Sequence, residues 1–209
     1  MFNDEPFATA KGVILNRAPT GETNLWVTFF LEGEGIVSLS SKNMMGDSEP
    51  FVWGYFELKK KQKSASYHVF EADIRDDMLH LRRSRAALSA VFGWVKYLLR
   101  YLPHGQPDDE LLNNLYWSMK LLTVSAVPEE AADWRFVWLW LREWGIAPEL
   151  TEFYASRGFN AHETELLSRL EVLAPKEVVS LFSSPLNPSI RENVFKVASS
   201  LAVGFLNET

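Results

Sequence analysis

The chain has 209 residues, a formal charge of −6 and no cysteine. The missing cysteines exclude disulfides, thiolate nucleophiles and cysteine-ligated zinc. The negative balance excludes sequence-independent polyanion binding by the chain as a whole, so any nucleic-acid surface is a local patch.

A hydrophobic share of 47% is enough to build the core of one large or two small domains. The opening Met1-Phe2-Asn3-Asp4-Glu5 is acidic and lacks the apolar core of a signal peptide. The longest apolar run, Phe136 to Leu141, falls far short of the roughly 20 residues a membrane span needs. The expected compartment is therefore a bacterial-type cytosol, with no membrane partner.

From Phe7 to Ile74 the apolar residues come in strand-length runs, at about 7–16, 24–31, 35–41, 51–59 and 66–74, broken by Gly, Pro, Asn and Ser. Glu32-Gly33-Glu34-Gly35 supplies glycines for a tight turn between the second and third. In the second run Leu25, Val27, Phe29 and Leu31 share one face, and Trp26, Thr28 and Phe30 share the other. A strand apolar on both faces is expected to be covered on both. Five short strands at this spacing fit a small closed barrel, for which the OB barrel is the commonest solution.

The period then changes. Asp76 and Asp77 stand where helix-starting acids are favoured, and Leu81, Leu88, Phe92, Val95, Leu99 and Leu102 keep helical spacing up to Pro103. Pro107-Asp108-Asp109-Glu110 starts a second helix with Leu111, Leu115, Met119 and Leu122 on one face. Pro128 opens a third whose body, Trp134 to Trp144, is apolar nearly all round and ends at Gly145. Asn160 and Glu163 have the spacing of a capping box for a helix through Leu173. Pro175 begins a short one, and Asn187-Pro188 begins a last helix along which Ile190, Val194, Val197, Leu201 and Phe205 recur. The expected class is α+β in two domains: a five-stranded barrel over 1–77 and an all-α domain over 78–209.

No catalytic set is apparent. His68, His80, His104 and His162 are scattered, the second histidine of a metalloprotease helix is missing, and Gly-x-Ser-x-Gly is absent. Asp73, Asp76 and Asp77 are close in sequence, but a helix start explains them more simply than a metal does. An enzyme is not expected, nor is a cofactor.

The basic residues carry more. Lys59, Lys60, Lys61 and Lys63 crowd the connection between the fourth and fifth strands, Arg82, Arg83 and Arg85 crowd the start of the first helix, and Lys11, Arg17 and Lys42 sit at strand ends. Residues 1–80 nevertheless hold eight basic against twelve acidic side chains, a net of −4. A hairpin tip kept soluble by like charge is the plainer explanation of the lysine run. Trp26, Trp53, Tyr55 and Tyr67 are strand aromatics of the type on which OB barrels stack bases. Trp134, Trp138, Trp140 and Trp144 are read as bundle packing.

The opening KGVILNRAPTGETNLWVTFFLEGEGIVSLSSK resembles the start of the RecO family of recombination mediators, with Lys-Gly before an aliphatic strand, then Gly-Glu, a Val-Thr strand and a Gly-linked third strand. EPFVWGYFELKKKQKSASYHVFEADI is similar to that family's fourth and fifth strands, and LREWGIAPEL (141–150) to its Gly-x-x-Pro-x-Leu element. The resemblance implies an OB domain followed by a helical domain. It implies DNA repair by binding single- and double-stranded DNA, annealing strands, and helping a RecA-type recombinase displace single-strand binding protein, together with RecR. It also implies a DNA-binding set of Lys11, Arg17, Lys42, Lys59, Lys60, Lys61 and Lys63, to which Arg82 and Arg83 are added. Two departures stand out: Thr151 to Leu166 holds no cysteine, so the zinc module of many members is missing, and the loop from Lys42 to Glu49 is nearly neutral where members carry Lys and Arg. Weak, strongly salt-sensitive DNA binding is the expectation, with a protein-interaction adaptor of little DNA affinity as the alternative.

Overall fold

A computed structural model describes residues 7–20, 24–41, 49–60, 67–183 and 188–208. It divides into two compact units, Met1–Leu79 with Val95–Leu112, and His80–Trp94 with Asn113–Thr209. The class is mixed α+β, five strands followed in sequence by helices.

The strands are β1 (Phe7–Thr20), β2 (Asn24–Leu31), β3 (Gly35–Ser41), β4 (Trp53–Lys60) and β5 (Tyr67–Asp76). They close a barrel in the order β1-β2-β3-β5-β4. All pairings are antiparallel except β3 with β5, which meet at Ser40 and His68. β1 serves two partners: Phe7–Val13 pairs with β4, and Gly12–Thr20 pairs with β2 across an irregularity between Ile14 and Asn16.

As expected, Leu25, Val27, Phe29 and Leu31 turn inward, joining Ile14, Phe56, Leu58 and Val69 in the barrel core. Phe29 meets Phe56 edge-on at 4.8 Å. The other face of β2 departs from the expectation of full cover. Phe30 is buried, Thr28 is half-buried, and Trp26 is 46% exposed. Cover exists only where Val13, Phe30 and Ile36 share a rung. There the chain after the first helix returns: Ile36 bridges His104, Gly105 N–H donates to Ile36 O at 2.9 Å, and Gly33 N–H donates to Asp109 Oδ1 at 2.8 Å.

The helices are α1 (Arg85–Tyr101), α2 (Asp109–Leu122), α3 (Glu129–Glu143), α4 (Leu150–Ala155), α5 (Ala161–Val172), α6 (Pro175–Ser183) and α7 (Pro188–Glu208). Asp76 and Asp77 do not cap a helix. Their carboxylates accept from the amides of Met78 and Leu79, two residues on, which is the local turn that competes with a helix start. A 3₁₀ turn follows at Leu81–Arg83, and Ser84 caps α1 by accepting from Ala87 N–H at 3.1 Å. The buried stripe of α1 is Ala87, Val91, Trp94, Val95 and Leu98, while Phe92 and Leu99 are exposed.

Asp108 caps α2 through Leu111 N–H, and the Leu111, Leu115, Met119 and Leu122 face is buried as expected. Asn160 and Glu163 form a complete capping box on α5. Gly145, at φ 69°, ends α3. In α7 the buried line is Val194, Phe195, Ala198, Ala202 and Leu206; Val197 is exposed.

α3 is the centre of the second unit and packs along α7. Trp94 stacks on Phe136 at 4.6 Å, and Trp134 on Trp138 at 5.9 Å. Buried and half-buried polar groups are tied into this packing. Asp133 accepts from Trp94 Nε1 at 2.6 Å and from Ser199 Oγ. The Tyr154 hydroxyl accepts from Trp134 Nε1 at 2.7 Å and donates to Ala198 O at 3.2 Å.

Two stability predictions follow from this packing. Gly33 and Gly35 both sit at φ 72°, but a Cβ on Gly33 meets nothing within 4 Å, whereas one on Gly35 lies 2.0 Å from Gln106 O. In denaturant unfolding, Gly33→Ala is expected to cost about 1 kcal/mol for the left-handed backbone alone. Gly35→Ala should cost on the order of 3 kcal/mol because the 103–109 chain must also shift. Equal costs would mean that segment yields freely.

Burial pushes the Tyr154 hydroxyl far above its usual range, outweighing Trp134 and Arg157, which pull it down. An unfolded tyrosine ionises near pH 10, so the phenol's contribution is intact below that pH. Above it, the unfolded state sheds its proton first, and stability falls by about 1.4 kcal/mol per pH unit. Tyr154→Phe should abolish this component of the alkaline slope. At pH 7 it should cost about 1–3 kcal/mol by leaving Trp134 N–H without an acceptor.

Candidate nucleic-acid interface

Pleating sends alternate residues of β1, β2 and β3 to the outside of the barrel. Near one end this leaves Asn16 and Ala18 from β1, Trp26 and Thr28 from β2, and Ser38 and Ser40 from β3. Ala18, Trp26 and Ser40 are direct neighbours on one rung, and Asn16, Thr28 and Ser38 are neighbours on the next. The hydroxyls of Thr28 and Ser38 hydrogen-bond across the strands at 3.0 Å. Asn16 Oδ1 accepts from Arg17 N–H at 2.8 Å. This surface is polar, uncharged and built around one exposed indole.

Pairing carries the Trp26 rung further around the barrel: Ser40 is beside His68, and His68 is beside Lys59. Trp26 lies two positions after the start of β2, and His68 one position after the start of β5. The β1–β2 and β4–β5 connections therefore leave the barrel at this end, as does β3 after Ser41. Of the expected basic set, Lys59 and Lys60 close β4 here, in backbone position. Lys42, Lys61 and Lys63, in the connections, lie outside the described residues.

Arg17 belongs to the same region, one residue before Ala18, and is half-buried. Its guanidinium donates to Glu49 Oε1 at 2.6 Å. That ion pair spans 32 residues of sequence, and no local pattern announces it.

Lys11 is elsewhere. It pairs with Tyr55 of β4, and its carbonyl accepts from Glu32 N–H at the β2–β3 turn, towards the other end of the barrel. Tyr55 is 42% exposed, with the Arg75 guanidinium 5.7 Å from its ring and Arg75 bound to Asp73 at 2.5 Å. On the adjacent rung Glu57 faces Glu71 directly, an arrangement of like charges that repels phosphate and costs sheet stability. Of the other strand aromatics, Trp53 is buried and offers no stacking surface; the Tyr67 side chain lies outside the description.

Arg82 and Arg83 fall in the second unit, on the 3₁₀ turn, both exposed. Arg83 lines a cleft of about 680 Å³ together with His80, Ser84, Glu129 and Glu130. Glu129 accepts from Ser84 Oγ at 2.7 Å. Two glutamates in the cleft make it a poor seat for phosphate.

The perturbed titratable groups belong to packing. Tyr154 has been described; Arg135, buried in α3, donates to Leu173 O at 3.1 Å, and burial lowers its pKa against the opposing pull of Glu143. Among the described residues, no group of three or more His, Asp or Glu is arranged to hold a metal, and no helix is long and apolar enough to cross a membrane. Asp73 is engaged with Arg75, and Asp76 and Asp77 with the turn after β5. No family model matches the chain, and no curated protein matches it.

Proposed function

We propose that the chain is a RecO-like recombination mediator. In this reading its barrel is an OB-fold that binds single-stranded DNA at the end carrying the β1–β2 and β4–β5 connections, in support of strand annealing and recombinase loading during DNA repair. RecR and single-strand binding protein are its protein partners, and a bacterial cytosol is its compartment.

The observation that carries the reading is topological. The strand order β1-β2-β3-β5-β4 is compatible with an OB barrel, in which the strand 2–3 face and these same two connections hold oligonucleotides. Here Lys59 and Lys60 end β4, Lys61 and Lys63 follow in the β4–β5 connection, and Lys42 follows β3 in sequence. The likeness of residues 11–42, 49–74 and 141–150 to RecO supports the same assignment. Lys11 does not share this end, and Arg82 and Arg83 belong to the second unit; none of the three is assigned a phosphate contact.

A second reading is a RecO-like adaptor that holds protein rather than DNA. Glu57 facing Glu71, with Asp73 one rung away, favours it for the β4–β5 side of the barrel.

Fluorescence anisotropy of a labelled single strand separates the two. Each phosphate contact contributes about 0.7 to the slope of log affinity against log salt for single strands. Four lysine contacts thus predict a loss of roughly fiftyfold between 50 and 200 mM salt. Charge reversal of Lys59, Lys60, Lys61 and Lys63 should weaken binding and flatten that slope. An unchanged slope removes the lysines from the site. No binding at 50 mM salt, with RecR recovered in a pull-down, establishes the adaptor instead.

A further inference from the structure

We infer that Trp26 is a stacking platform for an unpaired base, and that it makes the barrel selective for single strands by contact with bases rather than by charge. The inference rests on the nucleic-acid reading above and assigns the residue that distinguishes a single strand from a duplex.

Trp26 departs from the rest of its strand. Leu25, Val27, Phe29, Phe30 and Leu31 are all buried, yet the largest side chain of β2 is 46% exposed. Among the described residues the indole has no ring partner. Its two neighbours on the rung, Ala18 and Ser40, are small. A base lying on the indole would meet no bulky side chain from the strands on either side. The next rung offers Asn16, Thr28 and Ser38, whose amide and hydroxyls suit the polar edge of a base. None of these six positions is charged, so nothing on the platform attracts phosphate. Lys59 stands, in backbone register, at the far end of the rung that runs through Ser40 and His68. That division suits a strand whose bases turn toward the sheet and whose phosphates turn toward the connections. Every base presents a π-face, so such a platform tolerates sequence, whereas a duplex keeps its faces stacked inside.

The test compares the full chain with Trp26→Ala and Trp26→Phe, titrating a labelled oligo(dT) and a duplex of equal length at several salt concentrations. Circular dichroism checks that each variant folds. Trp26→Ala is expected to lower oligo(dT) affinity roughly tenfold or more, to leave the salt slope unchanged, and to collapse the preference for oligo(dT) over duplex. Trp26→Phe should keep most of both. A folded Trp26→Ala with wild-type oligo(dT) affinity and wild-type preference overturns the stacking role while leaving the mediator reading intact. A flattened salt slope in Trp26→Ala also overturns it, because the residue would then be acting through the lysines. Failure of the wild-type chain to bind either probe removes the mediator reading and this inference with it.

Discussion

The barrel depends on one strand having two partners at once. β1 is 14 residues long and pairs with β4 over Phe7–Val13 and with β2 over Gly12–Thr20, both partners meeting it at Gly12 and Val13. Closing so small a barrel requires a strand of this length to curve, and two devices serve that curvature. Gly12 lets β2 approach so closely that a Cβ there would lie 2.2 Å from Phe30 O. The irregularity between Ile14 and Asn16 then turns the strand. The chain entering β4 secures the corner: Phe51 N–H donates to Ile14 O at 2.7 Å, and Ile14 N–H donates to Val52 O at 3.1 Å. Phe51 makes that bond at φ 72°, a conformation costly for a bulky residue and held only because the surroundings fix it. The outward positions of β1 beyond the bend, Asn16 and Ala18, owe their place beside Trp26 to this corner.

The elements most legible in the sequence were those with a local cause. The Gly33–Gly35 turn, the inward face of β2, the Asp108 start of α2, the Asn160–Glu163 box and the Gly145 stop each depend on residues within a few positions of one another. The misses have long-range causes. Phe92 and Leu99 keep helical spacing but are exposed, and in α7 the buried line shifts from Val197 to Ala198, because spacing reports a period and not its phase. Asp76 and Asp77 have the placing of helix-starting acids, yet the same side chains close turns two residues on. α4 is six residues long, too short to have a period. At the site, composition marked the lysines and the aromatics. Only the register separated exposed Trp26 from buried Trp53 and set Lys11 beside Tyr55, and only the folded chain brought Glu49 to Arg17.

The two units place their buried polar chemistry differently. In the helical unit Asp133, Tyr154 and Arg135 each face hydrogen-bond partners on other helices or their ends, and the strong pKa displacement of Tyr154 comes from burial. These groups lock α3 to α7 and α5, so a perturbed phenol here marks packing rather than proton transfer. In the barrel the polar groups of the outer face remain in reach of solvent and pair across strands. Chemistry open to a ligand is therefore concentrated on the sheet, and chemistry serving rigidity is concentrated among the helices.

The β2–β3 turn has a consequence for how the barrel can open. It is fastened from outside the sheet, through Ile36, Gly33 and the close approach of Gln106 to Gly35. Slow amide exchange should therefore concentrate at that end, where opening the turn requires peeling away the 103–109 chain as well. The barrel is therefore clamped at that end twice over, by its own strand pairing and by the 103–109 chain laid across the turn.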